Sequence, residues 1–327
     1  MRRRDFIKAI PGVATGWPIA AGAQQTGLPV VGFLSPQSAG ITMAARIGGF
    51  LAGLSELNYV EGRNVSINYA WAEGHYDRLS ALANDMVRRQ VAVIAALTQD
   101  AALAAKAATT KIPIVFNVGG DPVGFGLVAS MNRPGGNATG VSMFSYQLDA
   151  KRLGLLHEMV PQASVVGALV NPANANADTQ ERELEATARS LGLQVYIRRA
   201  GSDGDLAAAC ESLARDGARA LIAASDPFFS NQRERLVALA AKLGLPAIWE
   251  WPDFVEDGGL MSYGTSIVDN YRLAGVYTGR ILKGEAPADL PVVQPTKLTM
   301  ALNLKTARTL GIAVPPALLA RADDVFE

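Results

Sequence analysis

The chain has 327 residues, with 30 basic and 30 acidic side chains, and 49% of its residues are hydrophobic against 18% charged. This composition excludes an intrinsically disordered chain, and the length fits one large domain or two of ordinary size. Because the formal net charge is zero, the chain lacks the basic excess that contacts to nucleic-acid phosphates require, and no nucleic-acid partner is expected.

The N-terminal segment has the pattern of an export signal. Residues 3–8 read RRDFIK, which is typical of a twin-arginine signal, and a weakly apolar run over residues 9–20 is followed by the small residues Ala21 and Ala23. The apolar run is too short to span a membrane. We therefore expect cleavage after Ala23 and a periplasmic location. The general secretion route remains an alternative to the twin-arginine route.

The first half of the remaining chain alternates short apolar runs with segments of helical periodicity. Such alternation predicts a parallel β-sheet with helices on both faces. The predicted strands are 29–34, 64–71, 91–97 and 112–116, and the predicted helices are 43–57, 76–89 and 101–110.

The same rhythm returns after a break at residues 140–146, so the sequence predicts two α/β halves, each a doubly wound parallel sheet. Residues 260–263, a helix over 268–282 and a strand over 298–302 are expected at the edges of these halves. The predicted strands of the second half are 165–170, 194–197, 220–223 and 246–249, and its helices are 148–160, 179–191, 205–215 and 232–243.

Polar side chains follow several of the predicted strands, at the sheet edge where ligands bind in open α/β folds. Helix N-termini favour a carboxylate and a single aspartate favours an ammonium group, so these loops predict a small polar or zwitterionic ligand. The same residue types are ordinary helix N-caps, and capping is the alternative role for each of them. The candidates are Ser35, Gln37, Ser38, Thr98, Gln99, Asp121, Asn171 and Asp226.

Aromatic residues lie near the same loops of the second half. They either stack on a ligand at the edge of a cleft or pack inside the protein, and the sequence leaves both roles open. These residues are Phe228, Phe229, Trp249, Trp251 and Tyr263, of which Tyr263 is retained as a candidate ligand contact.

Motifs for catalysis or metal binding are not found. The glycines of residues 135–140 lack the Lys-Ser/Thr ending of a phosphate-binding loop, and His75 and His157 stand in no metal-ligand spacing. Cys210, the only cysteine, lies in an alanine-rich helical pattern that predicts a buried small side chain. We expect no enzymatic activity, no catalytic residue, no cofactor and no metal.

Short strings along the whole chain, in a specific order, carry a resemblance to a known family. They are LNYVEGRNV (57–65), IPIVF (112–116), DPV (121–123), RPGGN (133–137), NP (171–172), DP (226–227), GGLMSYG (258–264), ILKG (281–284), LPV (290–292), QPTK (294–297) and NLKTA (303–307). With them the chain resembles the substrate-binding proteins of ABC transporters, of the tryptophan/tyrosine-binding type, which have the type I periplasmic-binding fold.

The resemblance implies a clamshell of two lobes joined by three crossovers. The expected N-terminal lobe comprises residues 24–143 and about 264–288, and the C-terminal lobe comprises 144–263 and about 289–327. The crossovers are expected near 142–146, 251–257 and 287–294.

The resemblance also implies a monomer that closes over a small molecule and delivers it to an ABC permease in the inner membrane. The family's ligand loops correspond to 35–38, 98–101, Asp121, Asn171, Asp226 and Tyr263. The chain departs from the family pattern at residues 98–101, which read TQDA where many relatives have GTPA. The acidic Asp100 disfavours a ligand carboxylate at that helix start.

Three alternative functions use the same scaffold. A periplasmic subunit that presents its ligand to a membrane receptor would need the same two lobes, and the sequence does not separate it from a transport protein. An exported enzyme would need an activated group, which is not found. A regulator of the lactose-repressor type would carry a DNA-binding helix-turn-helix where this chain has its export signal.

Overall fold

The first of two β-sheets is parallel and has five strands. The structure, a computed structural model, describes residues 27–327, so the expected export signal and its cleavage site lie outside the described residues. The strands are arranged in the order β2-β1-β3-β4-β5. They are β1 (Val30–Ser35), β2 (Ser66–Trp71), β3 (Val93–Ala96), β4 (Ile114–Val118) and β5 (Ala138–Ser142), and the helices between them are α1 (Ile41–Glu56), α2 (Leu79–Arg88) and α3 (Gln99–Ala108).

Strand β5 occupies part of the segment that the sequence predicts as a break. Its residues, ATGVS, are small or polar, yet all five are buried. Gly140 has φ of +149°, and a Cβ atom there would lie 2.0 Å from the carbonyl oxygen of Phe116 on β4. A glycine is therefore needed for the close pairing of β5 with β4.

The second sheet has seven strands and includes the late segments whose place the sequence leaves undecided. Its order is β12-β11-β10-β9-β8-β6-β7, and only β10 and β11 pair antiparallel among its described neighbours. Its strands are β6 (Val165–Val170), β7 (Gln194–Arg199), β8 (Ala220–Ala223), β9 (Ala247–Trp249), β10 (Met261–Thr265), β11 (Leu298–Asn303) and β12 (Asp324–Phe326).

Helices cover both faces of the second sheet and connect its strands. The longer ones are α4 (Ser145–Met159), α5 (Ala177–Ser190), α6 (Asp203–Arg215) and α8 (Arg233–Lys242), and the shorter ones are α7 (Pro227–Asn231), α9 (Pro252–Glu256), α11 (Leu304–Thr309) and α12 (Pro316–Leu319). Within residues 27–327, no helix is long and apolar enough to cross a membrane.

Helix α10 (Ile267–Leu282) follows a strand of the second sheet but packs closely against α1 of the first lobe. Glycines allow this approach: a Cβ atom on Gly53 would lie 1.9 Å from the carbonyl oxygen of Arg272, and one on Gly275 would lie 2.1 Å from that of Phe50. The two helix backbones therefore touch, and α10 packs on the first lobe.

The chain passes between the two lobes three times. It crosses at residues 143–144, between β5 and α4, again at Ser266, and finally after Val293, which still pairs with Val141 of the first sheet. The expected second crossing at 251–257 is wrong, because β9 and β10, on either side of that segment, are paired strands of the second sheet.

Candidate ligand-binding site

A cavity of about 50 Å³ lies between the two lobes, where the carboxyl ends of strands from both sheets meet. The lobes touch beside it. The Gln37 side-chain amide donates a hydrogen bond to the carbonyl oxygen of Pro227 at 3.4 Å, and the Tyr76 hydroxyl donates to Asp226 Oδ1 at 3.2 Å. Because each bond joins one lobe to the other, this is a closed arrangement of the clamshell.

Two side-chain amides of the first lobe line the cavity without hydrogen-bond partners. Gln99, in the first turn of α3, is 3% exposed, and Asn117, near the end of β4, is 1% exposed. In the part of the chain that the structure describes, neither the amide nitrogen nor the oxygen of either side chain has a partner. Leaving a buried polar group unpaired costs about 1–3 kcal/mol, so these groups call for a molecule that both donates and accepts hydrogen bonds.

Arg46 on α1 brings a positive charge to the same wall. It is 4% exposed, donates from Nη1 to Gln37 Oε1 at 3.3 Å and also hydrogen-bonds the Tyr271 side chain. Its Nε has no partner, and no carboxylate within residues 27–327 forms a salt bridge with it. A buried guanidinium without an anion is costly, so the wall has an anion-binding character.

The second lobe lines the opposite wall with a buried acidic network. Arg152 pairs with Asp149 and donates to the Ser225 hydroxyl at 2.8 Å, while its Nη2 lies 3.9 Å from Glu250. Glu250 also lines the cavity and is bonded to the hydroxyls of Ser225 and Ser145. Burial raises the pKa of Glu250 to about 7; the Arg152 charge opposes this shift.

Asp226, the N-cap of α7, is held by four donors. Its Oδ1 accepts from the Phe228 backbone N–H at 2.7 Å, from the Asn171 amide at 2.9 Å and from Tyr76, and its Oδ2 accepts from the Asn174 amide at 2.6 Å. Burial raises the pKa of this carboxyl, and these hydrogen bonds act in the opposite direction. Asp226 therefore organises the loop after β8 and ties it to the first lobe.

Asp100 lies at the same contact between the lobes. It accepts a hydrogen bond from the backbone N–H of Ala175 in the second lobe, while its Oδ2 is buried without a partner in the described chain. Burial, followed by the charge of Asp226, raises the pKa of Asp100 to about 7. The closed arrangement thus brings two carboxyl groups from opposite lobes together.

Most of the remaining cavity wall is apolar. Trp251 is one of these residues, whereas Trp249 stacks on Phe254 with ring centroids 4.8 Å apart, inside the core. Trp249 therefore packs inside the protein, whereas Trp251 lines the cavity. The apolar wall consists of Leu97, Met143, Pro227, Trp251, Ile267 and Tyr271.

The structure brings four of the nine predicted ligand contacts to the cavity, namely Gln37, Thr98, Gln99 and Asp226. Two more support them from behind. Ser35 Oγ accepts from the Gln37 backbone N–H at 3.1 Å, and the Asn171 amide holds Asp226.

The other three predicted contacts lie elsewhere. Ser38 lines an outer compartment of about 620 Å³ between the lobes. Asp121 is exposed and accepts from the Val123 backbone N–H at 2.9 Å, which is a capping role. The Tyr263 side chain packs at the edge of the second lobe's core, and its carbonyl oxygen accepts from Arg152 at 2.7 Å.

Several cavity residues are absent from the sequence-based set. Arg46 has a signal that sequence reading could use, because it stands at helical spacing between Met43 and Phe50 on the buried face of α1. Asn117 and Glu250 directly follow the predicted strands 112–116 and 246–249, so they have the same signal as the candidates although they are not among them. Tyr271 reaches the cavity only because α10 returns to the first lobe.

The cysteine lies outside the cavity, and the described chain offers no metal site. Cys210 is buried, as predicted, and burial raises the pKa of its thiol to about 11. Among residues 27–327, no group of three His, Cys, Asp or Glu side chains could hold a metal ion.

Comparisons with known proteins agree with this architecture. A structure of a conserved domain protein from Vibrio cholerae O1 biovar El Tor is 28% identical, with a TM-score of 0.82, and the match covers 90% of this chain and 98% of that one. An ABC domain from Streptococcus pneumoniae, solved in complex with L-Trp, is 26% identical with a TM-score of 0.82 and coverage of 92% and 100%.

A tyrosine-binding protein of Clostridioides difficile (strain R20291) is 26% identical over 264 residues, which is 81% of this chain and 76% of that protein. The family model described as ABC transporter substrate binding protein matches residues 34–326. The predicted type I periplasmic-binding fold is confirmed. The chain belongs to the ABC transporter substrate-binding protein family.

Proposed function

We propose that this chain is an extracytoplasmic solute-binding protein that captures an amino acid or related carboxylate between its lobes and delivers it to the permease of an ABC importer. The observation that carries the proposal is the pair of unpartnered amides, Gln99 and Asn117, buried in the cavity between the lobes. A ligand that donates and accepts hydrogen bonds would satisfy them on closure.

The relatives give the proposal its ligand class. One solved relative is a complex with L-Trp and one curated relative is a tyrosine-binding protein. The apolar wall that includes Trp251 and Tyr271 fits the side chain of an amino acid. The signal-like N-terminus supports a periplasmic location, where binding by closure would present the loaded protein to a permease.

A thermal-shift screen of residues 24–327 tests ligand capture. The library contains the twenty L-amino acids, aromatic acids, small dicarboxylates, amides and sugars. A ligand at 100 times its Kd adds about 2.7 kcal/mol to the free energy of unfolding, which raises the Tm by a few degrees. We expect stabilisation by amino acids or related carboxylates. Stabilisation by sugars alone would contradict the proposed ligand class, and enzymatic turnover of a hit would contradict a binding role.

Delivery and location need separate measurements. We expect cells that lack this chain to lose uptake of the radiolabelled ligand and to regain it when the full chain is expressed. Normal uptake without the chain would contradict delivery.

Replacing both Arg3 and Arg4 by Lys should keep the protein in the cytoplasmic fraction if the twin-arginine route is used.

A further inference from the structure

We propose that the ligand is an amino acid zwitterion that bridges the two lobes, with its carboxylate on Arg46 of the first lobe and its ammonium group on Glu250 of the second. This inference rests on the proposed function and deepens it, because it assigns a partner to each charged end of the ligand.

Arg46 has the properties of a carboxylate anchor. Its guanidinium is almost fully buried and lines the cavity, and the side chains that it hydrogen-bonds within residues 27–327 are the neutral Gln37 and Tyr271. Its Nε remains unpartnered within the described chain, although a buried guanidinium normally has an anion beside it. The planar guanidinium offers several donors in a fixed geometry that matches a carboxylate. An anion is therefore the missing partner, and the ligand is the group that can supply it.

Glu250 is the acid of the opposite wall that a ligand cation can reach. The neighbouring cation Arg152 is already paired with Asp149, at a shorter separation than the 3.9 Å that divides it from Glu250. Other than this distant pairing, Glu250 is bonded to the hydroxyls of Ser145 and Ser225. Burial, the largest cause, raises the pKa of Glu250, and the charge of Asp149 adds to the shift, whereas the charge of Arg152 opposes it. A ligand ammonium would oppose the shift further.

Asp226 is the competing acid, and its position argues against it. Both of its oxygens are already occupied by donors of the protein: the Phe228 backbone N–H, the amides of Asn171 and Asn174, and the Tyr76 hydroxyl. Three of these donors bind Oδ1 and one binds Oδ2, so Asp226 has four donors from the protein, whereas Glu250 has the two hydroxyls of Ser145 and Ser225. Asp226 thus holds the loop and the lobes together, and Glu250 remains for the ligand.

A zwitterion in this orientation explains how the ligand would drive closure. The two charged groups that we assign to the ligand, Arg46 and Glu250, lie on different lobes, so the unlike charges of the ligand match both only when the lobes come together. A ligand that lacks one charge leaves Arg46 or Glu250 buried and unpaired, which is penalised more than the loss of a neutral hydrogen bond.

The test measures the binding of an amino acid and two analogues, each lacking one charge, to the unmodified protein and to variants of Arg46 and Glu250. The twenty L-amino acids are first titrated individually by calorimetry against residues 24–327. The tightest binder is then compared with its primary amide, which lacks the carboxylate, and with its desamino acid, which lacks the ammonium group. In the unmodified protein we expect each analogue to bind about thirtyfold or more weakly than the amino acid.

The variants assign each loss to one residue. In Arg46→Met, the amino acid and its amide should bind within about threefold of each other, whereas Arg46→Lys should keep part of the preference for the carboxylate. In Glu250→Gln, the amino acid and the desamino acid should become equal while the preference for the carboxylate is retained. A residue with a merely structural role would weaken all three ligands by the same factor, and urea unfolding checks that each variant is folded.

Three results would overturn the inference. The first is equal binding of the amide and the amino acid by the unmodified protein. The second is that Asp226→Asn, instead of Glu250→Gln, abolishes the preference for the amino acid over its desamino acid. The third is that none of the twenty amino acids binds. In the last case, a thermal shift with other carboxylates would leave the proposed binding function standing while removing the zwitterion. No shift with any solute class would instead count against the proposed function itself.

Discussion

Asp100 and Asp226 approach the same contact from opposite lobes, and the charge of Asp226 adds to burial in raising the pKa of Asp100 to about 7. The ordinary value for this carboxyl is 3.8, which it should approach when the lobes separate and water reaches it. Closure therefore takes up a proton on Asp100 between about pH 4 and pH 7. Above pH 7 the carboxyl is ionised in both states, so closure carries the full penalty of bringing two negative charges together.

The first prediction is that Asp100→Asn removes part of the pH dependence of ligand binding. Because the closed state binds the extra proton, affinity should rise as the pH falls from 7.5 to 5.5, by a factor of order ten from this residue alone. Asparagine stays neutral, so the variant should bind more tightly than the unmodified protein at both pH values, with the larger advantage at pH 7.5, because closure of the unmodified protein must still protonate Asp100 at pH 5.5. Calorimetric Kd values at both pH values check this, and equal pH slopes in the two proteins would contradict it.

The second prediction separates the two roles of Asp226. Asp226→Ala leaves two asparagine amides, a backbone N–H and the Tyr76 hydroxyl without this acceptor, and we expect unfolding in urea to become easier by about 2–5 kcal/mol. Tyr76→Phe removes only the hydroxyl that joins the lobes. It should leave the free energy of unfolding within about 1 kcal/mol and still weaken binding severalfold. An Asp226→Ala protein with unchanged stability would show that these hydrogen bonds contribute little.

The third prediction concerns the unpartnered amide of Asn117. Asn117→Leu replaces it by an apolar side chain of similar size, so the empty protein should become as stable or more stable while ligand affinity falls about tenfold or more. Asp121→Asn is the matched control, because this exposed side chain caps a turn outside the cavity. Its Kd should stay within a factor of two. A greater loss of affinity for Asp121→Asn than for Asn117→Leu would reverse our placement of the site.

The fourth prediction tests the close packing of α1 against α10. Gly53→Ala would place a methyl group 1.9 Å from the carbonyl oxygen of Arg272, so the helices must separate, and we expect a loss of about 1–3 kcal/mol or more. Gly48→Ala is the control on the same helix, because its Cβ meets nothing within 4 Å. That change should stabilise by up to about 1 kcal/mol. Chemical unfolding of both variants measures the difference, and equal effects would contradict the packing.

The sequence predicts the sheet–helix alternation well where the core strands are continuous apolar runs. Residues 29–34 and 165–170 are examples, since a strand buried on both faces leaves this pattern. The sequence does not predict strand β5, because its buried residues are small or polar and its place is set by close backbone pairing with β4. Such pairing depends on a distant strand and leaves no local pattern.

The candidate site was predictable only in part, for a related reason. Loops after strands identify Gln37, Thr98, Gln99 and Asp226, because the parallel topology brings these ends together. Asp121 has the same local signal as these residues, but its loop turns away and its side chain caps a backbone N–H. Arg46 and Tyr271 lie on helices, and whether a helical side chain reaches the cavity depends on packing that a single sequence does not encode locally.

The return of α10 to the first lobe has a consequence for the order in which the site is assembled. Arg46 on α1 and Tyr271 on α10 belong to two helices whose backbones touch, so their mutual position should persist when the lobes part. An arriving solute would meet a rigid half-site on that lobe. We therefore expect substitutions on α1 and α10 to slow capture, whereas substitutions after β8 and β9 should shorten the residence time of the bound solute.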